Sequence, residues 1–314
     1  MKHGYWITGL LWFFVLSVAG QAAPAVFDQL PAPVQFFPRT DQNTAPVPVS
    51  GYFQTPGYQR VALRLLRNGA LSAYQRRELT YENGRAAFAL TSTLRAELAE
   101  YAVEVYGIST QGDSLLLARR EGLLCGDAYL INGQSNANPL GEGYDYYNRT
   151  LNRYCRTFGV GDSGKPYAPQ DTLWTYSNEN SSGVGSWGTE LQRSLAQRYG
   201  VPVCILNGAL GGSPLDYHAY RNPDNPSDLN TGYGKLLYRV RKAGLMGHVK
   251  ALFWRQGETE TSGDPGGVKY PLFFPTLYKN WRSDYPALKQ IYVFQNNLLA
   301  RSFESASQVL DYQR

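Results

Sequence analysis

Between positions 25 and 118 the apolar and β-branched residues come in short runs, at 34–37, 47–53, 61–66, 86–90 and 101–106. Turn formers separate them: Thr55-Pro56-Gly57, Arg67-Asn68-Gly69 and Glu82-Asn83-Gly84. Short strands at regular spacing with such turns predict a small all-β sandwich. The region contains no cluster of residues suited to catalysis. Its expected task is packing against, or presenting substrate to, a second domain, and a plain structural spacer fits equally well.

From Gly126 the period changes. Short apolar runs of strand type alternate with helical repeats. Trp187, Leu191 and Leu195 recur at helical spacing, with Gly200 as the stop. Leu236, Leu237 and Val240 mark a second helix closed by Gly244, and Leu272, Phe273, Leu277, Tyr278 and Trp281 a third. A strand at 291–294 and a last helix holding Ala306, Val309 and Leu310 complete the pattern. Alternation of this kind predicts an α/β fold, doubly wound, with a parallel sheet and helices on both faces. The stretch 138–186 is rich in Tyr, Asn, Ser and Gly and reads as a long wall beside a site.

Three of the strand runs end in polar turns. Ala128-Tyr129-Leu130-Ile131 runs into Gly133-Gln134-Ser135-Asn136. The run 201–206 leads into Asn207-Gly208-Ala209-Leu210-Gly211-Gly212-Ser213-Pro214-Leu215, and 249–252 into Phe253-Trp254-Arg255-Gln256-Gly257-Glu258. A parallel sheet delivers all three turns to its carboxyl edge, where open α/β folds place their chemistry. Ser135 then has the setting of a nucleophile on a tight turn. Gly211 and Gly212 permit close backbone approach and expose N–H groups, and Gln256 offers an amide; together they form a candidate oxyanion hole. Glu258 and Asn136 are candidates for supporting the serine turn or binding substrate. His218, beyond the glycine turn in Asp216-Tyr217-His218, is expected to line the pocket or support it. It lies too close to Asp216 in sequence for the two to work as a triad pair.

The order GQSN, GGSPL, WRQGE resembles the sialate O-acetylesterase domain of the SGNH hydrolases, which is also similar to acetylxylan esterases. The likeness runs from about Gly126 through Tyr270, Trp281-Arg282 and Gln313-Arg314. It implies an SGNH-type doubly wound sheet, Ser135 as nucleophile of a serine carboxylic-ester hydrolase, and Gly211 or Gly212 with Gln256 as oxyanion donors. It also implies a fourth block, Asp-x-x-His, carrying the base. The three histidines here, His3, His218 and His248, stand in no such setting, and Gln313-Arg314 matches the pair that precedes that block. The expectation is a base beyond residue 314 and a domain truncated at its carboxyl end. In the all-β part, Leu98-Ala99-Glu100-Tyr101 resembles the corner before a late strand of immunoglobulin-like folds.

Composition adds less. Residues 1–23 read as a secretory signal: Lys2 and His3, an apolar run from Trp6 to Val18, then Ala19-Gly20-Gln21-Ala22-Ala23. The run is short for a bilayer span of about 20 residues. The organisation expected is thus a signal (1–23), a sandwich (24–118) and an SGNH-like domain (119–314), secreted or periplasmic, without stable membrane association. The formal charge of +5 is scattered, which speaks against nucleic acid as a partner. Twenty-four Tyr and 6 Trp suit a protein that stacks sugars, and equally an aromatic β-rich core. Asn148-Arg149-Thr150 and Asn180-Ser181-Ser182 fit the N-glycosylation pattern. Of the cysteines, Cys125 and Cys155 are the candidate bridge and Cys204 a buried hydrophobe. No metal or other cofactor is expected. Two functions compete: an esterase removing O-acetyl groups from an acetylated carbohydrate through an acyl-enzyme, and a non-catalytic carbohydrate-binding or scaffold protein keeping the fold without a catalytic His.

Overall fold

A computed structural model describes residues 24–138, 152–159, 172–177, 183–261, 266–296 and 303–314. The expected signal, both glycosylation patterns and most of the 138–186 stretch lie outside them. The elements in chain order are β1 (Ala25–Gln29), β2 (Phe36–Pro38), β3 (Thr44–Phe53), β4 (Tyr58–Arg67), β5 (Ala70–Glu78), β6 (Ala86–Arg95), β7 (Tyr101–Ser109), β8 (Ser114–Gly133), β9 (Cys155–Phe158), β10 (Trp174–Tyr176), α1 (Ser186–Tyr199), β11 (Val203–Asn207), α2 (Leu215–Ala219), α3 (Gly232–Lys242), β12 (Val249–Arg255), α4 (Lys269–Asp284), β13 (Gln290–Val293) and α5 (Phe303–Gln313).

Strict alternation builds the first part. In β6 every second residue, from Ala86 to Leu94, is buried and the others face water. It pairs antiparallel with β3, and β3 with β1. Opposite lie β4, β5, β7 and the start of β8, also antiparallel. Val47, Val49, Phe53, Phe88 and Leu90 of one layer share a buried core with Val61, Leu63, Leu65, Val103 and Val105 of the other. The sequence pattern does not predict the edge strand β5: most of its residues are exposed, so no apolar period marks it.

Strand β8 is the hinge of the architecture. Its 20 residues pair antiparallel with β7 up to Leu123 and then parallel with β11 and β12 from Asp127 to Gly133. The sheet is therefore mixed, and it continues across the expected boundary between residues 118 and 119. Gly126 sits at the crossing, where a Cβ would collide with the Pro202 carbonyl. Arg156 ties the two parts further. It is fully buried, donates to the Val34 carbonyl at 3.0 Å and the Gly122 carbonyl at 2.8 Å, and lies 4.0 Å over the Tyr176 ring.

In the second part β9, β11, β8, β12 and β13 run parallel in that spatial order, with β10 antiparallel on the β9 edge. Helices lie against both faces. Leu130, Leu206 and Leu252 pack with Leu236, Leu237 and Val240 of α3, Leu277 and Trp281 of α4 and Val309 of α5. Ile131, Val203 and Ile205 pack with Leu191, Leu195 and Ala196 of α1. Gly200 caps α1 in the left-handed region at φ 67°, as its place in the sequence suggests. The expected Cys125–Cys155 bridge does not form. Cys125, Cys155 and Cys204 are all buried and joined by no disulfide, and burial pushes the first two thiols up to about 12.

Candidate active site

Strands β8, β11 and β12 end together, with Asn207 paired to Ile131 and Arg255 to Gly133. Their following turns are sewn into one surface by backbone hydrogen bonds. Leu210 N–H donates to the Gly133 carbonyl at 3.1 Å, and Gln134 N–H to the Arg255 carbonyl at 3.1 Å. Gly133, at φ 141°, must be glycine, because a Cβ there would strike the Arg255 carbonyl. The approach of β12 to the serine turn depends on that missing methyl.

Ser135 opens a 3-10 turn, Ser135–Ala137, directly after β8. Ser135 and Asn136 are exposed, whereas Gln134 and Ala137 on either side are buried. The serine is thus raised from a turn anchored at both ends. The Gln134 side chain is one anchor: its Oε1 accepts from the Gly257 and Thr259 N–H groups, both at 3.2 Å. Asn207 is the other: its Nδ2 donates to the Ala137 carbonyl at 2.8 Å and the Val184 carbonyl at 2.9 Å.

Gly211 stands beside the serine, where a Cβ would lie 4.0 Å from the Ser135 Cβ. Gly212 follows in the left-handed region at φ 69°, with open space where its side chain would be. Both glycines are exposed. Asn136 Nδ2 donates to Glu258 Oε1 at 2.5 Å, and Trp187 Nε1 donates to the Asn136 carbonyl at 3.0 Å. Glu258 and Asn136 therefore join the serine turn to the β12 turn.

Two expectations change. His218 is 0% exposed, so it lines no open pocket. Its Nε2 meets Ser213 Oγ at 2.7 Å, and its ring stands edge-on to Trp254 at 5.3 Å. It supports the glycine turn from beneath, because the short helix α2 turns it back into the core. Gln256 is also 0% exposed. Its Nε2 donates to Glu260 and, at 3.4 Å, to the Ser213 carbonyl, while its Oε1 accepts from Tyr270 Oη at 2.8 Å. The backbone carbonyl of Gln256 accepts from Tyr270 Oη and Gln313 Nε2, each at 2.6 Å, and from Asn296 Nδ2 at 3.3 Å. In this conformation the amide is turned into a buried network rather than toward Ser135.

His248 stands exposed just before β12, about 20 Å from the carboxyl edge at roughly 3.3 Å per strand residue. Neither described histidine therefore reaches Ser135. Among the described residues no group of three or more His, Cys, Asp and Glu could hold a metal ion, and no helix is long and apolar enough to cross a membrane. A groove of about 550 Å³ lined by Arg39, Tyr129, Tyr199, Lys250 and Tyr292 opens at the amino edge of the sheet, away from the serine. Reading the sequence did not single out Gln134, Asn207 or Glu260. Polar residues inside or just after apolar strands were the available signal.

Among solved structures, the chain is similar to a carbohydrate acetylesterase from Xanthomonas citri. The alignment covers 92% of this chain and 65% of that one at 22% identity, with a TM-score of 0.54. The class defined by this fold is a mixed α/β protein, and the chain spans just under two thirds of that relative's length. A protein from Arabidopsis thaliana aligns over 59% of this chain and 79% of its own at 17% identity and a TM-score of 0.42. NanS aligns over 50% and 62% at 18% identity and a TM-score of 0.36. No curated protein matches. A family profile described as carbohydrate esterase, sialic acid-specific acetylesterase, matches residues 125–314. The chain belongs to that family.

Proposed function

We propose that this protein is a secreted or periplasmic serine esterase that removes O-acetyl groups from sugars. The observation that carries the reading is the exposed Ser135 on a turn anchored on both sides, with Gly211 beside it. Ser135 Oγ attacks the acetyl carbonyl carbon and gives its proton to a base. The carbonyl oxygen becomes an oxyanion, met by the N–H groups of Ser135 and of Gly211 or Gly212. The tetrahedral intermediate collapses, the sugar oxygen leaves with the proton, and water then hydrolyses the acetyl-serine. The base is an imidazole from outside the described residues, held by the Asp-x-x-His block that the family resemblance implies. The Gln256 amide either rotates toward the oxyanion or, as it stands, braces the turns. Residues 119–314 form the SGNH-type doubly wound domain and 24–118 a sandwich beside it, with 1–23 a signal.

The second reading is a carbohydrate-binding or scaffold protein. It is favoured by one observation, that neither His218 nor His248 reaches Ser135. A serine-directed phosphonate separates the two. Labelling confined to Ser135, together with release of acetate from an acetylated sugar, supports the esterase. Sugar binding with no label at Ser135 and no acetate release overturns it.

A further inference from the structure

Glu260 lies in the 3-10 turn Thr259–Thr261 and is 2% exposed. A buried carboxylate is costly unless its lone pairs are met. Here the two oxygens are met from two different turns. Oε1 accepts the N–H of Leu215, the first residue of α2, at 2.6 Å. Oε2 accepts the Gln256 amide. The carboxylate is therefore a clamp between the turn after β11 and the turn after β12.

What lies between the clamped points matters. The segment Gly211-Gly212-Ser213-Pro214 is held upstream by Leu210 N–H on the Gly133 carbonyl at 3.1 Å. It is held downstream by Leu215 on Glu260. From below, Ser213 Oγ is bonded to the Leu210 carbonyl and to His218, each at 2.7 Å. Gln256, itself held by Glu260, reaches the Ser213 carbonyl at 3.4 Å. Glu260 thus fixes the free end of the glycine turn both directly and through Gln256. No other carboxylate bonds to this turn among the described residues; Glu258 is bonded to Asn136 on the serine side.

We propose that Glu260 is a positioning residue that sets the height of the Gly211 and Gly212 N–H groups relative to Ser135. The inference rests on the esterase reading for its purpose but not for its geometry. Replacing Glu260 by Gln keeps the shape and leaves one acceptor where two donors converge, so one N–H is set against an amide NH2. The turn then shifts at its downstream end. Displacing oxyanion donors costs rate in the chemical step rather than in substrate binding.

The test compares wild type, Glu260→Gln and Glu260→Asp by three readouts. They are the ¹H–¹⁵N resonances of Gly211, Gly212 and Leu215, the rate at which a serine-directed phosphonate labels Ser135, and the thermal midpoint. The expected result for Glu260→Gln is that all three resonances shift in a folded protein and labelling slows about tenfold or more, a partial form of losing an oxyanion donor. Glu260→Asp, which keeps two acceptors, recovers part of the rate. A folded Glu260→Gln in which Leu215 shifts but Gly211, Gly212 and the labelling rate do not would overturn the proposal and leave a purely structural brace. If Glu260→Gln does not fold, Glu260→Asp is judged by the same criteria. An unlabelled Ser135 in wild type sinks the esterase reading, while the glycine resonances still decide the role of Glu260.

Discussion

The two halves of the molecule bury polar groups in opposite ways. The layers formed by β1–β7 enclose an aliphatic and aromatic core; one carboxylate, Glu104, is buried against Arg64 and Arg119, and the pairs Arg60–Glu78 and Arg67–Glu97 sit toward water. The carboxyl edge of β8, β11 and β12 instead buries Gln134, Asn207, Gln256, Glu260, Asn296 and Gln313. An apolar core is indifferent to small shifts as long as volume is filled. A hydrogen-bonded network is not, because each donor left without an acceptor costs about 1–3 kcal/mol. The first half is therefore built for stability and the second for position. That contrast sets the surroundings of Ser135 apart, since Gln134, Asn207, Gln256 and Glu260 all bond to the turns around the exposed serine.

Breaking the comparison at its centre has the largest effect. Ser135→Ala should reduce deacetylation by several orders of magnitude, as loss of a nucleophile does in serine hydrolases. The fold should be untouched because the hydroxyl is exposed. Release of acetate and the thermal midpoint are the two measurements. Retained turnover would remove Ser135 from the mechanism.

In the other half Leu63, 0% exposed, is the matching probe. Leu63→Ala should cost about 2–5 kcal/mol of stability in a denaturant melt. Under conditions where the variant is folded, kcat should be unchanged. A change in kcat at full folding would mean that the β layers reach into the site.

Gln256→Ala sharpens the contrast from within the network. Losing the buried amide leaves Glu260 short of a donor and opens space beside Tyr270, so about 1–3 kcal/mol of stability should be lost. A moderate fall in kcat should accompany it. A fall of about 10²–10³ in kcat with stability and KM unchanged would instead return the amide to the oxyanion hole.

The smallest effects come from titration, and their signs differ between the halves. The Arg67 guanidinium, with the Tyr101 hydroxyl, holds Glu97 down to about 2 against partial desolvation. A depressed folded pKa contributes stability that is present above the unfolded carboxylate value and lost as pH falls through about 2. Glu260 is raised by burial, partly offset by hydrogen bonds from Leu215 and Gln256. A raised folded pKa contributes stability that is full below the ordinary carboxylate value and lost as pH rises through the folded one. Thermal midpoints of wild type, Glu97→Gln and Glu260→Gln across the acid range should therefore diverge in opposite directions. Parallel curves would show that the two carboxylates are not held differently.

Much of this was written along the chain. The alternation in β6, the helical repeat ending at Gly200, and the strand-then-turn units at Ser135, Gly211 and Gln256 are local patterns, readable because side-chain period and backbone geometry are linked within a few residues. Ser135 on an exposed turn and Gly211 beside it emerge from those patterns once the three strands are placed in parallel. What could not be read is what depends on partners far away in sequence. β5 carries no apolar period, because an edge strand in water needs none. The continuity of β8 through both halves rests on its pairing with β7, β11 and β12. The inward turn of Gln256 and the clamp made by Glu260 depend on residues 40 or more positions apart meeting, and the inward turn of His218 on Trp254, 36 positions away. A buried polar side chain is satisfied by whichever donor the fold brings to it, and no local pattern records that donor.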